Sequence, residues 1–161
     1  MSIERKYLAH YIDSSFNTGT PAYVRLGADL EEYNVELNPD VETKKNILGE
    51  NSVRIKGYEV SGEPDPYYSE YDDALSKKIL DLANERATGD DCKTTVVDAL
   101  FKEDGTCLWA YKEDAIIVPK SIGGDTSGVQ TPFTVHYAGN RVKGTFSTDS
   151  KTFTASSASS D

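Results

Sequence analysis

Histidine and cysteine are scarce in this sequence: His10, His136, Cys92 and Cys107 are the full set. Neither histidine lies near a cysteine at ligand spacing, so no metal centre is expected and both histidines read as exposed or interface residues. A cysteine nucleophile needs an adjacent base, and neither thiol has one. Cys107 stands two residues from Trp109, with Lys102 as its expected cross-strand neighbour, and reads as an inert, half-buried thiol. Cys92 follows Asp90 and Asp91, whose charges discourage a thiolate. Long apolar runs are missing as well. No stretch approaches the length of a membrane-spanning helix, and the opening MSIERKYLAHYID lacks the apolar core of a signal peptide. Reduced thiols in a cytosolic product, with no membrane contact, are the expectation. Positive charge is also in short supply: 17 Lys and Arg stand against 27 Asp and Glu, a formal net charge of −10. Such a surface repels a phosphate backbone and argues against ordinary nucleic-acid binding.

Motifs that carry chemistry are equally thin. The carboxylate pairs Asp72-Asp73, Asp90-Asp91 and Glu103-Asp104 fall at a helix start or a turn, which accounts for them locally. A glycosidase-like pair needs a concave site that adjacent turn acids do not define. The run Gly123-Gly124-Asp125-Thr126-Ser127-Gly128 lacks the Gly-Lys-Ser/Thr ending of a phosphate loop, and no helix follows it. No catalytic residue, cofactor or metal ligand is assigned.

What the sequence does hold is tyrosine, ten of them, a residue suited to half-buried strands and to surfaces that meet partners. It also holds one defensible helix. Tyr71, Ala74, Leu75, Ile79, Leu82 and Ala83 form a single apolar stripe. Ser69 with Asp72 reads as its capping box, and Gly89 as its left-handed stop. Every other periodic stretch has period two. Ala22–Leu26 reads as a short strand closed by Gly27, and Glu32–Leu37 alternates with Tyr33, Val35 and Leu37 on one side. Val53–Val60 is a returning strand that changes phase at Gly57, as a β-bulge would make it do.

Two hairpins follow the helix. A turn at Asp104-Gly105 pairs Phe101 with Leu108, Leu100 with Trp109, Ala99 with Ala110 and Asp98 with Tyr111. Val97, Ala99, Phe101, Leu108 and Ala110 then form an apolar face, which is expected to meet the helix stripe. The opposite face, with Asp98, Leu100, Lys102, Cys107, Trp109 and Tyr111, has the composition of an interface. A second turn at Gly139-Asn140 pairs Tyr137 with Val142, Val135 with Gly144 and Phe133 with Phe146, and Lys120–Thr131 between the hairpins reads as a loop. The fold class is α+β, mainly β: an antiparallel sandwich or barrel-like sheet with one flanking helix. A length of 161 residues implies one domain, with an irregular arm over 1–21, a long loop over 38–52 and a flexible tail over 154–161.

The order of these elements, with the loop Asn-Pro-Asp-Val-Glu-Thr-Lys-Lys-Asn-Ile-Leu-Gly-Glu-Asn over Asn38–Asn51 and the helix that follows, resembles the tail tube (major tail) proteins of long-tailed bacteriophages. The resemblance covers about Val24–Phe153. It implies a β-sandwich with one helix and hexameric rings stacked into a hollow tube. Strands of all six subunits would close a barrel around an acidic lumen through which DNA passes without specific binding. It implies as partners the protein itself and other tail proteins (tape measure, terminator, distal tail), and a place in a virion tail assembled in the host cytoplasm. It carries over no catalytic residue. Some relatives add an immunoglobulin-like surface domain where this sequence has a Ser/Thr-rich end, and a non-contractile tail is the expectation.

On this reading the loop over 38–52 reaches a neighbour. Its composition buries too little surface to order itself within one subunit, so it is expected to become ordered on assembly. Ile47 and Leu48 would be the apolar anchor, Lys44 and Lys45 would meet acids on the neighbour, and Leu100, Trp109 and Tyr111 would complete the subunit interface. A monomeric β-sandwich ligand-binding module and a small acid/base hydrolase are the alternatives.

Overall fold

A computed structural model describes residues 2–26, 33–64 and 67–156. Twelve strands are seen among them: β1 (Leu8–Asp13), β2 (Tyr23–Arg25), β3 (Val35–Glu36), β4 (Pro39–Lys45), β5 (Asn51–Tyr58), β6 (Ser61–Gly62), β7 (Lys93–Phe101), β8 (Cys107–Pro119), β9 (Gly123–Asp125), β10 (Gly128–Gln130), β11 (Phe133–Ser147) and β12 (Thr152–Ala155). One helix, α1 (Ala74–Glu85), lies between β6 and β7. The main sheet runs β2-β1-β7-β8-β11-β6-β3, with β12 also paired to β11. Every pairing is antiparallel, so the architecture is α+β and mainly β.

The helix begins later than the sequence suggests. Asp73, not Ser69, is the N-cap: its carboxylate accepts from the Leu75 N–H at 3.0 Å and from the Ser76 hydroxyl at 3.2 Å. Ser69 cannot serve because it is tied to the next hairpin, its hydroxyl 2.6 Å from that of Thr131 and its N–H on the Val129 carbonyl. Tyr71 therefore falls outside the stripe and stands exposed. At the other end Arg86, at φ 51°, takes the left-handed cap assigned to Gly89, and Gly89 opens the short 3-10 turn Gly89–Cys92.

Leu75, Ile79 and Leu82 are fully or nearly buried on the sheet, against Ile12, Val96, Ala115, Ile117, Phe133 and Val135. That is the face of Val96, not of Val97, and it corrects the expected packing. Val97, Ala99, Phe101 and Ala110 point the other way, into a second core with Ala9, Tyr11, Tyr23 and Phe146. A helix of twelve residues spans about 18 Å and covers only one end of one face. The opposite face closes because the sheet rolls on itself.

Five further expectations change. Residues 1–21 are not an irregular arm: Leu8–Asp13 is a central, buried strand between β2 and β7. The 38–52 segment is not a loop but most of a β-hairpin, β4 with β5, whose register slips beside Gly57. The clean strand over Glu32–Leu37 shrinks to Val35–Glu36, with Tyr33 buried and Leu37 exposed. The loop over 120–131 contains the small hairpin β9–β10. Thr154 and Ala155 belong to β12 rather than to a flexible tail.

The Asp104-Gly105 turn gives the anticipated pairs up to Leu100–Trp109, then a bulge sets Phe101 opposite Cys107 and leaves Leu108 exposed. No turn forms at Gly139-Asn140. Both residues have positive φ (103° and 56°), but the Gly139 N–H donates to Glu113 and the Asn140 amide to Asp114, both on β8. The chain passes through a bulge and continues along β8 as one strand of fifteen residues.

Candidate assembly surface

β4 and β5 form a two-stranded sheet of their own that pairs with no other strand among the described residues. Its two faces differ. Glu42 lies against Arg54, Lys44 and Lys56 at 3.2, 3.4 and 3.6 Å. The register pairs Val41 with Ile55 and Thr43 with Val53, and all three apolar side chains are more than half exposed. A solitary hairpin is marginal in water, and this one leaves both its edges and its apolar residues open.

The tip is ordered by its own side chains. Asn46 Oδ1 accepts from the N–H groups of Leu48 and Glu50 at 2.9 and 3.0 Å, and its amide donates to the Glu50 carboxylate at 2.8 Å. Gly49, at φ +83°, supplies the left-handed residue that the turn requires. Ile47 is fully exposed and Leu48 is 77% exposed. The structure thus brings Lys44, Lys45, Ile47 and Leu48 together at one end of a projecting hairpin. The charge of this hairpin is not acidic: Asp40, Glu42 and Glu50 stand against Lys44, Lys45, Arg54 and Lys56. Asp29, Glu31 and Glu32, which made the preceding stretch acidic, lie outside the described residues.

Leu100, Trp109 and Tyr111 sit together elsewhere, on β7 and β8, all partly exposed. Their face is the continuation of the one that α1 covers, beyond the helix's reach. Trp109 and Tyr111 approach with ring centroids 5.5 Å apart. The Arg141 guanidinium lies 4.1 Å from the Tyr111 ring centroid and pairs with Glu113 at 3.0 Å. Ring, cation–π and ion-pair contacts thus link the row from Trp109 through Tyr111 and Arg141 to Glu113.

Beside this row lies a buried polar network that the sequence did not reveal. His10 is neither exposed nor free: its Nδ1 is 2.6 Å from Asp98 Oδ1, and both residues are buried. The Arg5 guanidinium reaches His10 Nε2 at 3.0 Å and the carbonyls of Leu8 and Tyr33 at 2.7 and 2.9 Å. A guanidinium can only donate, so Nε2 accepts and the Nδ1 proton goes to Asp98. Tyr137 donates to Asp98 Oδ2 at 3.1 Å, and the Tyr33 and Tyr137 hydroxyls lie 3.3 Å apart. Burial drives both phenols well above their usual range, and the Asp98 carboxylate adds to it. The network joins the N-terminal segment, β1, β7 and β11 and fixes where the covered half of the face ends. One signal was available: the registers pair His10 with Asp98 across β1 and β7, but β1 itself was not recognised. His136, by contrast, is exposed. Cys92 is buried and Cys107 half-buried, both free thiols, and burial followed by the Asp91 charge pushes the Cys92 thiol up.

A mainly antiparallel β fold with one flanking helix and a projecting β-hairpin is the class these features define. No protein-family model matches the sequence, and no curated protein matches it. Solved structures share the fold, among them three whose matches cover most of both chains. The tube-terminating cap of the anti-feeding prophage matches with a TM-score of 0.54 and 12% identity over 90% of this chain and 92% of that one. The sheath/tube terminator of the extracellular contractile injection system PVC, in its extended state, gives 0.55 and 9% over 89% and 96%. A chain of the sheath–tube complex of the same system gives 0.53 and 9% over 89% and 92%. The two PVC neighbours are parts of a contractile injection system; at such identities the likeness is one of fold and does not bear on the expected non-contractile tail.

Proposed function

We propose that this chain is a structural, non-enzymatic subunit of a tail-like tube, self-assembling into six-fold rings. The observation that carries the reading is the β4–β5 hairpin, with open edges and an exposed apolar side. A ring of such hairpins would pair each open edge with the next copy and leave no edge exposed. The similar structures, a cap, a terminator and a sheath–tube complex, support a place in a tube or at its end. Leu100, Trp109 and Tyr111 are assigned to the contact between copies. Further partners would be other tail proteins, including the tape measure, terminator and distal tail proteins, in a virion or virion-like particle. The net charge of −10 suits a conduit that lets DNA pass without holding it. Because β4–β5 carries more cations than acids, an acidic lining would come from other parts of the ring.

Electron microscopy of the concentrated protein tests this. Stacked tubes support a tube subunit, and single rings that do not stack support a terminator. A protein that stays monomeric by light scattering at high concentration overturns both. Salt-sensitive micromolar binding to duplex DNA would overturn the conduit.

A further inference from the structure

The network around His10 holds one carboxylate and two groups that carry positive charge when protonated. Asp98 of β7 lies 2.6 Å from Nδ1, and Arg5 of the N-terminal turn lies 3.0 Å from Nε2. Tyr33 packs edge-on against the imidazole with ring centroids 4.6 Å apart, and Tyr137 of β11 donates to Asp98. Among the described residues these are the charged and titratable groups that face the ring or its carboxylate. Arg25 of β2 is turned to the Lys6 carbonyl at 2.7 Å, and Lys6 pairs with Glu4 at 3.4 Å. Phenols stay neutral in acid. Between pH 5 and pH 8 it is histidine whose charge ordinarily changes.

Nε2 accepts from Arg5 only while the imidazole is neutral. A proton on Nε2 turns it into a donor that faces another donor, and sets two cations against the single charge of Asp98. One of them has to leave. His10 and Asp98 are 6% and 7% exposed, and His10 lies in a central strand, whereas Arg5 is exposed and has water beside it.

Little else holds the segment that carries Arg5. The 3-10 turn Arg5–Tyr7 buries no residue. An open cleft of about 560 Å³ separates Ser2, Ile3, Glu4 and Tyr7 from the end of the β7–β8 hairpin at Phe101 and Leu108. Among the described residues, the hydrogen bonds that tie this segment to the rest of the fold are those of Arg5 to His10 and to the Tyr33 carbonyl, and that of Arg25 to the Lys6 carbonyl.

We propose that residues 2–7 form an acid-released strap: a proton taken up at His10 Nε2 expels the Arg5 guanidinium, and the segment lifts off while the His10–Asp98 pair and the sheet stay in place. Leu8, the next residue, stands opposite Leu100. The strap therefore borders the face of Leu100, Trp109 and Tyr111, and its opening enlarges the exposed part of that face in mild acid.

Two measurements on the full chain test it. A nitroxide on Ile3→Cys, a position 64% exposed, in a Cys107→Ser background reports the strap. Nitrogen-15 NMR of the imidazole reports His10, with His136→Gln removing the second histidine signal. Between pH 8 and pH 5 the label should gain mobility with the midpoint at which His10 takes up its proton, at constant circular dichroism. Arg5→Met keeps most of the bulk but removes the charge and the donors. In that variant the label should be mobile at every pH, and His10 should bind its proton about tenfold more tightly, because proton and guanidinium compete for one nitrogen. An imidazole that stays neutral down to pH 5, or a label that does not follow it, overturns the strap. So does an unchanged or weaker proton affinity in Arg5→Met, or a loss of circular dichroism that accompanies the label's release.

Discussion

Tyr11 and Phe146 stack with ring centroids 4.3 Å apart, although β7 and β8 lie between their strands in the sheet. In a flat sheet, three strand spacings would part them by about 14 Å. The contact is where the sheet closes on itself, and Tyr23 adds an edge-on ring 5.7 Å from Phe146. Phe146→Ala should therefore cost about 3–5 kcal/mol of stability by urea denaturation. A loss below about 1 kcal/mol, within the range of surface substitutions, would show that the roll closes without it.

His10 and Asp98 should behave as a unit. Removing either partner leaves a buried polar atom of the other short of one hydrogen bond, so His10→Ala and Asp98→Ala should each cost about 1–3 kcal/mol. The double variant should cost less than the sum by about 1–3 kcal/mol in a double-mutant cycle. Additive losses would mean that the two side chains are not coupled.

Alkaline pH should unfold the protein through its tyrosines. Tyr23 is pushed up from 10.0 to about 12, by burial first and then by the Asp13 charge, and burial raises Tyr33, Tyr67 and Tyr137 further. A raised phenol favours the folded state below the unfolded pKa and loses that contribution as pH climbs through the folded value. Stability should hold up to about pH 10 and fall between there and about pH 12, with tyrosinate absorbance appearing together with unfolding. Tyrosinate that titrates gradually in a still-folded protein would contradict this.

Leu82 and Trp109 should separate folding from assembly. Leu82 is buried under α1, and Leu82→Ala should lower stability by about 2–5 kcal/mol. Trp109 is only partly buried, so Trp109→Ala should leave the free subunit's melting temperature within a few degrees while weakening ring formation. If both variants unfold alike, Trp109 belongs to the core and not to an interface.

The order of elements was legible in the sequence wherever a local rule decided the outcome. The α1 stripe, the Asp104-Gly105 turn with three of its four expected pairs and the bulge beside Gly57 all follow from periodicity or turn chemistry. β1 was not legible because LAHYID, buried on both faces between β2 and β7, shows neither alternation nor an apolar run: His10 and Asp13 interrupt it. His10 is satisfied far along the chain, by Asp98, whereas the Asp13 carboxylate is satisfied locally, accepting from the Ser15 N–H and hydroxyl and the Ala22 N–H. The Gly139-Asn140 turn failed for a related reason. Both residues take positive φ, as a two-residue turn would need, but two β8 carboxylates hold them in a bulge. β4 was missed because its residues lack a buried face, which the alternation rule presupposes, whereas most of its partner β5 was read as the returning strand over 53–60.

The pairing of β1 with β7 has a consequence in time. Leu8 lies opposite Leu100 and Ile12 opposite Val96, so the first strand made can pair early only with the short β2 and lacks its longer partner, β7, until more than half of the chain exists. His10 and Asp98 are 88 residues apart, an interval of roughly 4–18 seconds at ordinary rates of ribosomal synthesis. Throughout that interval one edge of the most buried strand of the N-terminal half waits for its partner, and the roll can close only after β7 has emerged. Synthesis speed, rather than the intrinsic rate of strand pairing, therefore sets the earliest moment at which this protein can acquire its native shape in a cell.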